Sequence, residues 1–233
     1  MKLSILMPAF NEEKTIKNIL EKIYLLDLKT DKTFIKKEVI VINDGSTDKT
    51  FEILKNNPNL YSILIHNEKN FGKGFAVKEG LKSCSGDYVI IQDADEEYDP
   101  QEFIKFIKCI NLFKPDLILG TRFIFNNYSR SHNFYNKIAN KFITFFFNIL
   151  YNTTFTDIYC CYICFKKNLL DIEKLSSFGF SQHAEILCLL VKNAKKFYEV
   201  PIDYNGRTLK EGKKIRFYHI FSIFYQIIKS RFI

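Results

Sequence analysis

Apolar and polar positions along the first 120 residues switch repeatedly between a strand-like run and a helical period. Leu3 to Met7 is a short apolar run closed by Pro8, and Asn11 is the expected cap of a helix that gathers Ile16, Ile19, Leu20 and Ile23 on one face. Glu38 to Asn43 reads as a second strand, and Ser46 or Thr47 as the start of a helix carrying Phe51 and Leu54. A third strand, Tyr61 to His66, leads through a glycine-rich turn to a helix over about Gly74 to Cys84. Asp87 to Gln92 is the fourth strand. Asp99 and Pro100 carry the cap and first-turn signals of a helix bearing Phe103, Ile104, Ile107 and Ile110, and Asp116 to Thr121 is the fifth strand. Strands joined by helical crossovers imply an α/β fold with a mostly parallel, twisted sheet.

The pattern changes after residue 121. A polar stretch over 122–136 precedes a strongly apolar helix from about Lys137 to Tyr151, a strand-like Tyr159 to Phe165, and a helix from about His183 to Asn193. Lys196 to Ile202 is the last expected strand, followed by a loop with Gly206 and Gly212 and a terminal helix. No repeat or low-complexity linker divides the chain. A single domain is expected, in two halves, 1–121 and 122–233.

Composition narrows this picture. With 233 residues, 47% of them hydrophobic, the chain can bury one sizeable core. Its net charge of +8 calls for an anionic partner. The lysines are scattered over helix surfaces, which speaks against nucleic acid. No apolar run reaches the ~20 residues needed to span a bilayer, and the N-terminus does not read as a signal peptide. Cys161 and Cys164 form a Cys-x-x-Cys pair without a second ligand pair, so the six cysteines are expected to be buried thiols in a reducing cytoplasm.

The chemistry collects where ligands bind in such sheets, at the carboxyl ends of the strands. These ends carry Pro8-Ala9-Phe10-Asn11-Glu12, Asn43-Asp44-Gly45-Ser46, Asn70-Phe71-Gly72-Lys73-Gly74 and Asp93-Ala94-Asp95-Glu96-Glu97. Asp93 and Asp95 flank one small residue and offer two hard oxygen ligands to Mg²⁺ or Mn²⁺, with open positions left for phosphate. Alone they could be a solvated acidic turn; beside three other polar strand ends they read as a metal site. Asp44 suits a base or ribose hydroxyls, or a turn. Glu12 suits the nucleotide, or the helix dipole. Lys73 supplies a point charge in a turn that lets backbone amides approach a ligand.

These residues resemble the family 2 glycosyltransferases of the GT-A fold, and within them the polyprenyl-phosphate branch. The family's P-x-[YF]-N-E, D-D-G-S-x-D-x-T, N-x-G-K-G and D-A-D motifs correspond to Pro8 to Glu12, Asn43 to Thr50, Asn70 to Gly74 and Asp93 to Asp95. Gly120-Thr121-Arg122, Thr156-Asp157 with Cys161-Tyr162 and Phe165, and Glu199 to Thr208 match that branch further on. The resemblance implies an inverting hexosyl transfer from a nucleotide-sugar of the GDP-mannose or UDP-glucose type to a polyprenyl phosphate. It also implies metal at Asp93, Asp95 and Glu97, and phosphate contacts from Arg122, Arg207 and Lys213. Two positions depart from the pattern. Asn43 stands where the family often has Asp, and His183 where it commonly has Glu, with Glu185 nearby as a substitute.

A phosphate acceptor is already anionic and needs no general base. A hydroxyl acceptor would need a carboxylate, for which Asp157 is the candidate; it may equally serve to orient Arg122 or a loop amide. The competing readings are transfer to a sugar hydroxyl of a glycan or glycolipid, a nucleotidyltransferase, and a non-catalytic nucleotide-binding module. Absence of Trp argues against a processive polymer synthase with its Q-x-x-R-W motif. The Phe-rich helix at 137–151 and the segment 217–233 mix large apolar residues with Lys and Arg, as core helices or as helices lying in a membrane interface. The second alternative predicts a peripheral protein on the cytoplasmic face of a membrane.

Overall fold

The computed structural model describes residues 1–30, 33–124, 134–207 and 219–232. The first 121 residues alternate strands with helices: β1 Lys2–Ala9, α1 Ile16–Leu25, β2 Lys29–Thr30, β3 Thr33–Phe34, β4 Lys36–Asp44, α2 Thr50–Asn56, β5 Ile63–Asn67, α3 Lys73–Ser83, β6 Tyr88–Ile91, α4 Phe103–Phe113 and β7 Leu117–Thr121. The remainder is α5 Phe134–Tyr151, β8 Ile163–Lys166, α6 Gln182–Asn193, β9 Phe197–Pro201 and α7 His219–Phe232. Seven strands form one sheet in the order β5-β4-β1-β6-β8-β7-β9. β8 runs antiparallel to both β6 and β7, and the other recorded pairings in this sheet are parallel.

The central strands β6 and β7 are buried throughout, as is β1 beyond its first residue and β4 beyond its first two. That explains their near-continuous apolar sequences, because helices cover both faces of a parallel sheet. α1 buries Ile16, Ile19, Leu20 and Ile23, the stripe expected from its period. Each such side chain contributes ~1.5–3 kcal/mol of burial. All six cysteines are free and buried within this core, as the lone Cys-x-x-Cys suggested.

Three local expectations differ from the structure. α1 begins at Ile16, not after Asn11. Asn11 instead takes a left-handed φ of 52° and accepts from the Thr47 amide at 2.8 Å, so it fastens one strand-end loop to the next. α2 begins at Thr50 rather than near Ser46, because Asp48 accepts from the Thr50 amide at 2.9 Å and holds the preceding turn. Residues 159–162 precede β8 rather than belonging to it; the Tyr162 hydroxyl donates to Gln92 at 2.8 Å and the Cys161 amide points to the Tyr98 hydroxyl. Asp99 does cap, accepting from the Gln101 amide at 2.9 Å, though it opens a 3₁₀ turn ahead of α4.

The apolar helix α5 is built around a polar ladder. Asn140, Thr144 and Asn148 recur at i, i+4 spacing on one face. Asn140 donates to Asp157, Thr144 accepts from the Ile158 amide, and Asn148 bonds the backbone of Phe155 in both directions. These residues interrupt the apolar run because they carry the 153–158 loop. The opposite face leaves Phe134, Tyr135, Ile138, Phe142, Phe145 and Ile149 exposed.

Candidate active site

The carboxyl ends of β1, β4 and β6 converge on a cavity of about 500 Å³. Gly45 makes that approach possible: at φ +65° a Cβ there would lie 2.2 Å from the Lys69 carbonyl carbon. Gly74 does the same on the other side, where a Cβ would meet the Phe178 backbone at 2.6 Å. Pro8, Ala9, Phe10, Glu12, Asp44, Lys73, Asp93, Ala94, Asp95, Glu97, Arg122 and Arg207 all line the cavity. Thus twelve residues proposed from sequence, drawn from positions 8 to 207, come together. Asn11 is outside, tied to Thr47 as described, and Lys213 lies outside the described residues.

Asp44 is a clamp. Its two oxygens accept from Asn67 Nδ2 at 2.8 Å, the Phe71 amide at 3.2 Å and the Gly72 amide at 2.8 Å, which fixes the glycine-rich turn while the residue still faces the cavity. Lys73, at the start of α3, pairs with Asp93 at 2.5 Å. Burial would raise the Asp93 carboxyl, but Lys73 outweighs it and holds it low. Asp95 goes the other way: burial and the neighbouring Asp93 push it up to about 7, although Arg207 pulls it down. Arg207 reaches Asp95 at 2.5 Å, Glu97 at 3.3 Å and Glu12 at 3.5 Å.

This donor set fits a divalent cation. Burial, with the adjacent Asp93 carboxylate adding to it, pushes Asp95 up to about 7, and a bound cation would relieve both penalties. Among the described residues no group of three or more His, Cys, Asp or Glu side chains forms a ready-made metal cage. Mg²⁺ or Mn²⁺ held by two carboxylates and completed by phosphate oxygens needs none. Glu97, expected as a third ligand, is held elsewhere: Oε2 accepts from the Tyr204 hydroxyl at 2.7 Å and Oε1 from the Arg207 amide at 2.9 Å.

Asp157, left open between base and orienting group, is engaged with Arg122 and Asn140. Its oxygens receive Arg122 Nε at 2.7 Å and Nη2 at 2.9 Å, with Asn140 at 3.0 Å. Burial raises this carboxyl, and the Arg122 guanidinium reverses that and holds it below the usual range. A carboxylate so engaged is a poor base. Arg122 in turn contacts the Tyr159 carbonyl and lies over the Tyr204 ring. Glu185 is also spent: it accepts from the Ser176 and Ser177 amides and from Gln226 of α7. His183, not Glu185, faces the cavity.

Sequence reasoning missed Tyr98, Tyr159, Asn140 and Gln182, which line the same cavity. The i, i+4 polar ladder in α5 was the available signal for Asn140. Gln182 bonds the Gly74 carbonyl across 108 residues, which no local pattern announces. The far wall is apolar, formed by Ala139 and Ile143 of α5, Ile186 of α6, and Ile220 and Ile223 of α7.

The carboxyl edge of this sheet thus gathers two aspartates with Lys73 and Arg207 in one cavity. The profile described as glycosyl transferase family 2 matches residues 4–172, and the chain belongs to that family. It is 26% identical over 218 residues to a dolichol-phosphate mannosyltransferase of Pyrococcus furiosus, covering 91% of this chain but only 59% of that relative. It is also 26% identical over 245 residues to a UDP-N-acetylglucosamine–dolichyl-phosphate N-acetylglucosaminyltransferase of Methanococcus voltae, covering 96% and 94%. The fold is the GT-A fold, shared with glucosyl-3-phosphoglycerate synthase of Mycobacterium tuberculosis solved with Mn²⁺ and UDP, at a TM-score of 0.70 and 18% identity over 100% of this chain and 80% of that one.

Proposed function

We propose that this protein transfers a hexose, with inversion, from a nucleotide-sugar to a polyprenyl phosphate at a membrane surface. The observation that carries the reading is the two-sided cavity, charged at Lys73, Asp93, Asp95 and Arg207 and apolar where α5, α6 and α7 meet. One end suits a diphosphate and the other a prenyl chain. The names of the Pyrococcus and Methanococcus relatives support the same acceptor class.

Asp93 and Asp95 would hold Mg²⁺ or Mn²⁺, which when bound stabilises negative charge on the departing nucleoside diphosphate. Lys73 and Arg207 supply further positive charge beside those oxygens. Asp44 and the turn it clamps bound the opposite part of the cavity, where the nucleoside fits. Asp157, the candidate base, is engaged by Arg122 and Asn140, and Glu97 and Glu185 are engaged likewise, which speaks against a hydroxyl acceptor. A phosphate acceptor needs no base. Transfer then reduces to positioning and charge.

Membrane contact follows from the outer surfaces of the same helices. Phe145 is 62% exposed on α5 and Tyr225 67% exposed on α7, with Phe142, Ile149, Phe221 and Phe232 exposed beside them. Among the described residues no helix is long and apolar enough to cross a membrane. Four basic contacts give only ~4 kcal/mol with an acidic surface, about millimolar affinity, so apolar insertion supplies the rest.

The test is a transfer assay with UDP-glucose, UDP-N-acetylglucosamine and GDP-mannose, with and without a short polyprenyl phosphate, in Mn²⁺ or EDTA. Lipid-linked product that depends on Mn²⁺ is the expected result. Turnover of no donor, or turnover indifferent to EDTA, overturns the reading.

A further inference from the structure

Among the described residues three buried side-chain atoms have no hydrogen-bond partner: Asn43 Oδ1, His183 Nε2 and Asp203 Oδ1. Of these residues only His183 lines the cavity. An orphaned buried acceptor or donor costs ~1–3 kcal/mol, and at a binding site that cost marks where a ligand group completes the bond.

The chemistry of the missing partner can be narrowed. A neutral imidazole carries one ring proton, so Nε2 either donates or accepts a single hydrogen bond. Burial, reinforced by the charge of Lys73, holds the ring's pKa down to about 4, so it is neutral at pH 7. The edge of the ring is fixed by Tyr159, whose ring centroid is 5.4 Å away and whose hydroxyl donates to the Phe180 carbonyl at 2.6 Å.

A hydroxyl answers Nε2 either as donor or as acceptor, whereas an ionised phosphate oxygen only accepts. Gln182, the residue before His183, bonds the carbonyl of Gly74 next to Lys73, and Lys73 pairs with Asp93, which sets His183 at the charged end of the cavity. The hydroxyls expected at that spot are those of the sugar. Resting on the proposed function, we propose that His183 Nε2 forms a hydrogen bond with a hydroxyl of the hexose being transferred and so selects the donor sugar. It is a positioning and specificity residue, and it binds the part of the donor that the nucleoside diphosphate lacks.

The experiment compares affinity for UDP and GDP with affinity for UDP-glucose, UDP-N-acetylglucosamine and GDP-mannose, by calorimetry in Mn²⁺. In His183→Phe, which keeps the ring shape without the nitrogens, affinity for the preferred nucleotide-sugar falls about tenfold while the matching nucleoside diphosphate stays within about twofold. His183→Gln, whose side-chain amide both donates and accepts a hydrogen bond, recovers most of the loss and controls for a folding defect. Unchanged nucleotide-sugar affinity in His183→Phe overturns the inference while the proposed function stands. So does an equal loss for nucleotide-sugar and nucleoside diphosphate, which marks a purely structural ring. Wild-type protein that binds no nucleoside diphosphate or nucleotide-sugar overturns the proposed function and the inference with it.

Discussion

The two ends of the same three strands, β1, β4 and β6, treat buried acid in opposite ways. At the amino end, Glu38 of β4 receives Lys2 at 2.5 Å, Ser4 Oγ at 2.6 Å, and both the amide and hydroxyl of Ser85 at 2.8 and 2.6 Å. Ser4 Oγ also accepts from the Gly86 amide at 2.8 Å. Burial raises the Glu38 carboxyl, but Lys2, Ser4 and Ser85 outweigh it and bring it down to about 2. At the carboxyl end, Asp95 is pushed up to about 7 and His183 Nε2 is buried without a hydrogen-bond partner. One end is complete without a ligand. The other is arranged so that a cation and a substrate improve it, which is where a folded protein stores unfavourable interactions if it is to bind something.

The largest expected break in that contrast is Asp95→Asn. Transfer should fall about 1,000-fold or more, while the thermal transition without metal moves less than about 2 °C. Activity and melting temperature lost together would make Asp95 a structural acid like Glu38. At the other end, Glu38→Gln should cost about 2 kcal/mol of unfolding free energy at pH 7 and leave donor affinity unchanged, measured by urea denaturation and calorimetry. The pH dependence has a definite sign. The folded pKa lies below the unfolded one, so the contribution of Glu38 is present above pH ~4.5 and lost as pH falls toward 2. The gap between wild type and Glu38→Gln should narrow over that window. A gap that widens toward acid contradicts the assignment. The smallest effect concerns independence. Glu38 and the end of β4 are six residues apart, about 20 Å along the strand, so the unfolding free-energy changes of Glu38→Gln and Asp95→Asn should add within ~0.5 kcal/mol in the double variant. A larger coupling would mean that the sheet transmits strain between its ends.

The contrast was only half visible in the linear chain. Asp93 and Asp95 follow an apolar run and advertise themselves, as do Asp44 and Lys73 in their turns. Glu38 sits at the front of a strand with its partners 34 to 47 positions away, and nothing local distinguishes it from a solvated edge residue. The same limit applied to Asp157, where sequence left open a base or an orienting group, and to the choice between Glu185 and His183. In each case the deciding contact is long-range: Arg122 lies 35 residues from Asp157, and Gln226 lies 41 from Glu185.

Sequence alone determined the α/β plan, the strand ends that line the cavity, the apolar stripe of α1, and the pairing of Asp93 with Asp95 after β6. Those follow from periodicity and from turn chemistry, which act over a few residues. Tertiary structure decided which acids are free and which are already engaged. It also decided that β8 enters the sheet antiparallel, that Asn140, Thr144 and Asn148 serve a loop, and that α5, α6 and α7 close one apolar wall. The physical reason is that a carboxylate's role depends on which donors and charges share its burial. Those neighbours arrive from as far as Arg207, 112 residues beyond Asp95.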